Sequence, residues 1–385
     1  MKNILLKKNE EKRILNGHQW IFSNEILKID EKPALGEIVK ILNHENKFLG
    51  IGFYNPFSLI SIRFLHDKEI EIDKTFFVDR INKALDLRKT FFPTSKIYRL
   101  INSEGDFLPG LIIDRYESVF VLQTFSFGMD LLIPTIIETL KEIFNPSCII
   151  EKNNSQLRNL ETLPLREGIL FGEYKSEEVK IENVKYKLNL LLGQKTGFFL
   201  DQRLNRVRLM RYCKNKIVLD AFCNEGGFGL TALTGGAKEV DFVDTSAHSI
   251  SQVKENLKIN KFENYNLINQ DAFDFLNNSE KKYDVIILDP PTFTKSKKNI
   301  MMAIKGYTEL HFQAIKKLTP NGILVTSSCS HHISEKEFFE TVQKASAKEK
   351  RKIQLLEYFG ASCDHPTLVS MPETVYLKCG YFLVN

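Results

Sequence analysis

Two short segments of this chain carry residues whose types and placement suit covalent chemistry. One is Thr326-Ser327-Ser328-Cys329-Ser330-His331-His332, which follows the apolar run Gly322-Ile323-Leu324-Val325-Thr326. The other is Asp289-Pro290-Pro291-Thr292-Phe293, which follows Val285-Ile286-Ile287-Leu288. Pro-Pro cannot continue a central strand, so it fixes an extended exit and holds the Asp289 carboxylate at a strand tip. A lone cysteine is most often a small buried hydrophobe. Cys329 differs by its place, at a polar strand tip among Ser and His. A thiolate there could add to C6 of cytosine or uracil and make C5 nucleophilic enough to accept a methyl group. A carboxyl group such as Asp289, bonded to the ring's N3/N4 edge, would stabilise that adduct. The two histidines are candidate bases, but nothing fixes their direction, and they read better as loop-orienting or solvated groups. With Cys329 they lack a fourth ligand for a metal, so no metal site is expected.

A second set of residues points to a bound nucleoside. Leu219-Asp220-Ala221-Phe222-Cys223-Asn224-Glu225-Gly226-Gly227-Phe228-Gly229 reads as a strand end, a glycine-rich turn and a helix start. Such a junction lets backbone N–H groups approach a ligand. The spacing is not G-x-G-x-x-G, which lowers a dehydrogenase reading. The next apolar run ends in Asp244, placed to accept hydrogen bonds from a ribose diol. The third is followed by Gln270-Asp271-Ala272-Phe273, where the acid could hold an adenine amino group and the ring could pack on the base. Singly, each acid could equally be a cap or turn residue. Three at successive strand ends, with Asp289 at a fourth, point to a methyltransferase acting on a planar nitrogenous base.

These groups need a frame that brings strand ends to one edge. From Tyr212 onward, apolar strand runs alternate with helical stretches, the pattern of a doubly wound parallel sheet. After Pro366, two β-rich runs separated by Lys378-Cys379-Gly380 predict an antiparallel edge hairpin. The first ~70 residues show short strands near residues 37–42, 48–53 and 59–65, broken by turns such as Asn55-Pro56, and predict a small β-barrel-like module. Between them, a helix over 73–92, strands near 111–114, 119–122 and 148–151, and a helix over 131–143 predict a compact α+β domain. The expected division is therefore 1–70, 71–180 and 181–385.

Composition agrees with a globular chain of more than one domain. It has 385 residues, 43% of them hydrophobic and 29 of them Phe, with 26% charged. No apolar run approaches membrane-spanning length, and the N-terminal apolar stretch, Ile4-Leu5-Leu6, is too short for a secretory signal. A cytoplasmic protein with no membrane partner is the default expectation. The net charge of +5 permits nucleic-acid contact without demanding it. Basic residues cluster at Arg203/Arg206/Arg208/Arg211, at Lys295/Lys297/Lys298 and at Lys348/Lys350/Arg351/Lys352, although such runs are usually solvated faces. Six scattered cysteines without a C-x-x-C pair argue against a disulfide framework or structural zinc.

Read together, Gly193-Gln194-Lys195-Thr196-Gly197-Phe198-Phe199-Leu200-Asp201-Gln202-Arg203, Asp220-Ala221-Phe222, Gly226-Gly227-Phe228, Asp289-Pro290-Pro291-Thr292-Phe293 and Ser328-Cys329-Ser330 resemble the single-cysteine large-subunit rRNA (cytosine-C5) methyltransferases. The resemblance covers nearly the whole chain. Residues 13–22 and 52–56 look like that family's PUA domain, and residues 106–116 like its central α/β domain. Asp364-His365-Pro366, Pro372-Glu373 and Tyr376-Leu377-Lys378 look like its C-terminal signature. The chain departs from the family at Leu204 and at Cys223-Asn224-Glu225.

The resemblance implies an α/β fold, with a Rossmann-like class I methyltransferase domain preceded by a PUA-like RNA-binding domain and a central α+β domain. It implies S-adenosyl-L-methionine as cofactor, ribosomal RNA as partner, and Cys329 as nucleophile with Asp289 beside it; a homodimer is compatible with it. Lys195, Phe199, Asp201, Gln202 and Arg203 become expected cofactor contacts, joining Asp220, Phe222, Gly226, Gly227, Asp244, Asp271, Ala272, Phe273, Asp289 and Pro290. Two other readings stay open. One is methylation of a guanine or adenine nitrogen without covalent catalysis, and the other is a non-catalytic RNA-binding assembly factor.

Overall fold

The computed structural model describes residues 1–385 apart from 177, 194, 295 and 296, and gives Lys297 its backbone only. Gln194 of the glycine-flanked motif and Lys295 of the basic cluster therefore lie outside the described residues, as does the side chain of Lys297. The chain forms two compact units. One comprises Met1–Ser176, Leu188–Leu200 and Cys363–Thr374; the other comprises Glu177–Lys187, Asp201–Ser362 and Val375–Asn385.

The first unit holds two sheets. A six-stranded sheet runs in the order Trp20–Phe22, Ile60–His66, Phe48–Tyr54, Ile38–Leu42, Asn3–Leu6, Ile26–Ile29. Ile4, Leu6, Ile21, Val39, Ile41 and Ile62 fill its core. The short strands at 3–6, 20–22 and 26–29 are too brief to show alternation in sequence. A five-stranded sheet follows in the order Arg166–Gly172, Cys148–Asn153, Val119–Thr124, Leu111–Tyr116, Ile97–Asn102. The helix Lys74–Phe91 begins where Asp73 accepts a hydrogen bond from Phe76 N–H, and the chain leaves it just before Pro93. Buried charges join these parts. Arg63 pairs with Glu104 at 3.2 Å and with Glu161 at 3.0 Å, and Arg88 forks onto both oxygens of Asp106.

The second unit is built on seven strands: β1 (Ile217–Ala221), β2 (Glu239–Asp244), β3 (Tyr265–Asn269), β4 (Tyr283–Leu288), β5 (Leu318–Ser328), β6 (Ile353–Phe359) and β7 (Lys378–Val384). Their order is β3-β2-β1-β4-β5-β7-β6, with β1 to β5 parallel and β7 antiparallel to both neighbours. The parallel strands are near-continuous apolar runs because helices cover both faces. The order reverses at β1, where the chain crosses from one side of the sheet to the other, and ligands of open α/β sheets bind at such a switch.

Six helices connect or flank the strands: α1 (Arg203–Leu209), α2 (Gly227–Thr234), α3 (Ala247–Asn260), α4 (Ala272–Asn278), α5 (Ile300–Lys317) and α6 (Glu335–Lys348). α5 buries Ala303, Tyr307, Leu310, His311 and Ala314, the three- and four-residue spacing of one helical face. α6 starts in a reciprocal capping box between Ser334 and Glu337 and buries Phe338, Thr341, Val342 and Ala345. A hairpin of Glu178–Ile181 and Val184–Lys187 lies along α3, whose Asn256 and Asn260 accept from Lys187 and Lys185 N–H at 2.8 and 2.9 Å. Polar side chains thus take up backbone donors that an edge strand would leave open.

The expected hairpin after Pro366 does not form. Lys378-Cys379-Gly380 lies inside β7, and the single strand 378–384 slots between β5 and β6. Lysine and glycine read as a break, but Lys378 is buried at the start of the strand with its ammonium satisfied by carbonyls. β6 escaped notice because its outward positions Gln354, Leu355 and Leu356 blur the alternation.

The helix that follows β1 is buried on every side, and its packing needs glycine. A Cβ on Gly229 would stand 2.2 Å from the ring of Phe242, a fully buried β2 residue. Gly229→Ala should therefore lower stability by about 1–3 kcal/mol through overpacking, read as a reduced urea midpoint with an unchanged slope.

Candidate active site

Strand ends on the carboxyl edge of the parallel sheet supply the candidate groups. Leu219 and Asp220 pair with Ile286 and Ile287, and Leu288 pairs with Thr326, so Asp289 and the Ser327-Ser328-Cys329 segment leave adjacent strands side by side. Asp289 Oδ1 accepts from the Gln202 side-chain amide at 3.0 Å, and the same nitrogen donates to Ser327 Oγ at 3.0 Å. Gln202 is buried, and its own oxygen accepts from Asn205 at 2.7 Å. One amide thus ties the exits of β4 and β5 together. Thr292, two residues past the proline pair, brings Oγ1 within 3.0 Å of Cys329 Sγ. Cys329 is partly accessible, whereas Cys148, Cys213, Cys223 and Cys379 are buried. Partial exposure at a polar tip is what a reacting thiol needs.

The glycine turn lies at the end of β1. Gly226 adopts φ +81°, which glycine takes without strain. Phe222 takes φ +63° and bends the chain away from β1. Asp220 is buried, and its Oδ2 accepts from Gly229 N–H at 2.7 Å, so this acid ties the turn to the helix start. Burial raises its carboxyl to about 7, against the help of the Gly229 N–H. Glu225 is buried as well and is raised to about 7 by the same cause, offset by Arg206.

Asp244 ends β2 half-buried. Its oxygens accept from Ser246 and Asn224 N–H at 2.9 and 3.0 Å, leaving each with acceptor capacity to spare. Asp271 caps α4 through Oδ1, which accepts from Phe273 and Asp274 N–H, leaving Oδ2 outside that cap. It is thus a helix cap, as an acid at this point could be, and its second oxygen still has acceptor capacity. Ala272 is buried beneath Phe273, which meets Phe222 edge-on at 6.4 Å and Phe293 at 6.2 Å. Half-buried aromatic faces, acids with spare lone pairs and a glycine turn at a helix start fit a ribose, an adenine and the polar end of an amino acid.

The remaining expected contacts have other partners. Asp201 accepts from Tyr376 O–H at 2.6 Å, and its carbonyl accepts from Ser362 N–H at 2.8 Å. Arg203 Nε donates to Glu182 in the turn of the hairpin at 2.6 Å. Lys195 and Phe199 belong to the first unit, where the exposed Lys195 ammonium lies over the Phe199 ring at 4.6 Å. Pro290 is buried directly after Asp289. Sequence reasoning gave no role to Thr292, Tyr376 or Lys378; their only signal was membership in motifs quoted as a whole.

The parallel sheet with one antiparallel insertion, the glycine turn after β1 and the acids at successive strand ends define a class I S-adenosylmethionine-dependent methyltransferase fold, with a PUA-like β domain ahead of it. Residues 4–67 match the PUA-like domain family, and residues 206–358 match a family described as conserved hypothetical protein 95. Ribosomal RNA large subunit methyltransferase I of Aliivibrio fischeri is 39% identical over 386 residues, covering 98% of both chains, and that of Enterobacter sp. (strain 638) is 35% identical, covering 97% of both. The chain belongs to the ribosomal RNA large subunit methyltransferase I family. A solved structure of a candidate methyltransferase complexed with SAH superposes over 100% of both chains with a TM-score of 0.86 at 23% identity, which shows the shared fold.

The raised carboxyl of Asp220 makes stability depend on pH. A group held above its unfolded value stabilises below that value, and the contribution is lost as pH rises toward the folded one. Wild type should therefore lose stability relative to Asp220→Asn between about pH 4 and pH 7, by at most about 1.4 kcal/mol per pH unit. Urea unfolding of both proteins across that range measures the difference.

Proposed function

We propose that this protein transfers a methyl group from S-adenosyl-L-methionine to C5 of a cytosine in large-subunit ribosomal RNA, through a covalent Cys329 adduct. The observation that carries the reading is the pairing of a partly accessible thiol with a carboxylate on neighbouring strand ends, held together by Gln202 and Thr292. The names of its relatives support a large-subunit RNA substrate. The PUA-like domain supplies a surface suited to structured RNA, read by shape and backbone contacts with the target base flipped out.

In this reading Asp244 receives the ribose diol, Asp271 and Phe273 receive the adenine, and the turn at Gly226 and Gly227 lies along the amino-acid end. Asp201, Gln202, Arg203, Phe222, Ala272 and Pro290 complete the proposed pocket wall, with Asp220 fixing the turn from beneath. The bound cofactor supplies an electrophilic methyl group. The chain's own residues do the rest. Cys329 thiolate adds to C6, and its electron pair flows into the ring and leaves C5 enamine-like. Asp289, held by Gln202 and acting as the protonated acid, gives its proton to N3, accepts from the N4 amino group and so neutralises the negative charge that develops on the ring. N3 returns that proton when the adduct collapses. After C5 is substituted, a base removes its proton, and the returning electrons expel the thiolate.

A cytosine labelled with tritium at C5 reports the reaction directly, because methylation releases the label. Cys329→Ala should reduce release from ribosomal RNA to background, and Asp289→Asn should slow it by roughly 100-fold or more. Full release by Cys329→Ala would remove the thiol from the mechanism. Mass spectrometry of the digested product showing a methylated guanine or adenine nitrogen would replace this reading with the non-covalent one.

A further inference from the structure

Lys378 is the first residue of β7 and lies in register with Ser328 of β5, one residue before Cys329. It is only 6% exposed. Its ammonium donates to two backbone carbonyls, Ser330 O at 3.1 Å and Tyr376 O at 2.9 Å. Among the described residues no carboxylate reaches ion-pair distance of it. A buried cation held by neutral carbonyls alone is poorly compensated, because taking a charge out of water costs several kcal/mol without a counter-charge. A lysine buried at the start of an apolar strand is therefore expensive, and a leucine or threonine would fill the register position without that cost.

The anionic partner that would offset this cost is one residue from the carbonyl the ammonium already holds. Lys378 fixes Ser330 O, and Ser330 is bonded to Cys329, whose side chain meets Thr292 on its other side. We propose that Lys378 is a positioning and charge-tuning residue for Cys329, clamping the 328–330 segment and holding the thiol in its thiolate form near neutral pH. The inference rests on the proposed role of Cys329 and deepens it by saying what activates the nucleophile.

The charges around the pair divide cleanly. Burial pulls the Lys378 ammonium below its ordinary value, while Cys329 pushes it back, followed by Glu335 and Glu337 at the start of α6. From α5, burial pushes the Tyr307 phenol above its ordinary value, and the charges of Cys329 and Asp289 add to that push. His331 and His332 follow directly in the chain, and the His331 ring packs on Tyr376 at 5.6 Å. Lys378 is thus the basic amine among these groups. A cation beside a thiol lowers its pKa and raises the thiolate fraction at pH 7.

The test is alkylation by iodoacetamide between pH 6 and pH 10, with the Cys329-containing peptide quantified by mass spectrometry. It needs neither RNA nor cofactor. In the wild-type protein the midpoint for Cys329 should fall below the ~8.5 of an ordinary thiol; a midpoint at or above that value overturns the inference without any substitution. Lys378→Gln should raise the midpoint by about one pH unit and slow alkylation at pH 7 about tenfold, while Lys378→Arg should stay close to wild type. The tritium-release pH profile of Lys378→Gln should move to higher pH in parallel. An unchanged alkylation midpoint in a Lys378→Gln protein that still melts cooperatively refutes the role of Lys378 and leaves that of Cys329 standing. Conversely, full methylation by Cys329→Ala refutes the nucleophile and leaves the effect of Lys378 on the thiol measurable.

Discussion

A parallel ladder delivers the carboxyl ends of all its strands to one edge, and the site depends on that constraint. Asp220, Asp244, Asp289 and Cys329 are scattered across more than one hundred positions of sequence. They become neighbours because β1, β2, β4 and β5 run the same way in a fixed register. Backbone pairing sets strand spacing at about 4.8 Å, so side chains leaving adjacent tips start within reach of one another. What remains is fine placement, and here polar side chains do the work. Gln202 spans the exits of β4 and β5, Asp220 ties the glycine turn to its helix, and Asp271 caps α4.

These fixings have costs that the surrounding packing meets. Asp220 and Glu225 sit where burial disfavours their charged forms. Phe222 is held in a left-handed conformation that a non-glycine residue rarely adopts. Such local strain is found where the surrounding structure over-determines the backbone. α2 supplies that support, being buried on every side against β2 and the sheet centre. The turn is therefore rigid, and the groups that would line a bound nucleoside are placed before it arrives, which lowers the entropy lost on binding.

Much of this was readable from residue order alone, for definite reasons. β1, β2 and β4 are apolar runs that each end in an acid, and a strand buried on both faces has no alternation to misread. The proline pair after Asp289 marks a strand exit wherever it falls. The doubly wound fold was accordingly visible in the pattern of runs, whereas the PUA-like β domain was legible only through the family resemblance of residues 13–22 and 52–56. β7 was misread because Lys378 and Gly380 look like punctuation, and only three-dimensional placement shows that carbonyls accept from the buried ammonium. Arg203 was grouped with the cofactor contacts by motif, whereas its geometry shows a pair with Glu182 that no local spacing announces. Thr292 and Lys378 carried no signal of their own, since the hydroxyl gains meaning only from the thiol it meets and the amine only from the carbonyls it holds.

The threading of the chain has a consequence for how the molecule is made. Each compact unit is assembled from three separate stretches of sequence, and β7 enters the sheet between two strands synthesised before it. In a folding chain, the row between β5 and β6 stays vacant until residues 378–384 pair into it. Until then their facing edges offer unpaired N–H and C=O groups to any other strand nearby. Sheet closure and the arrival of the Lys378 ammonium are thus a single event, and a thiol tuned by that ammonium would gain its reactivity only once the fold around it is complete.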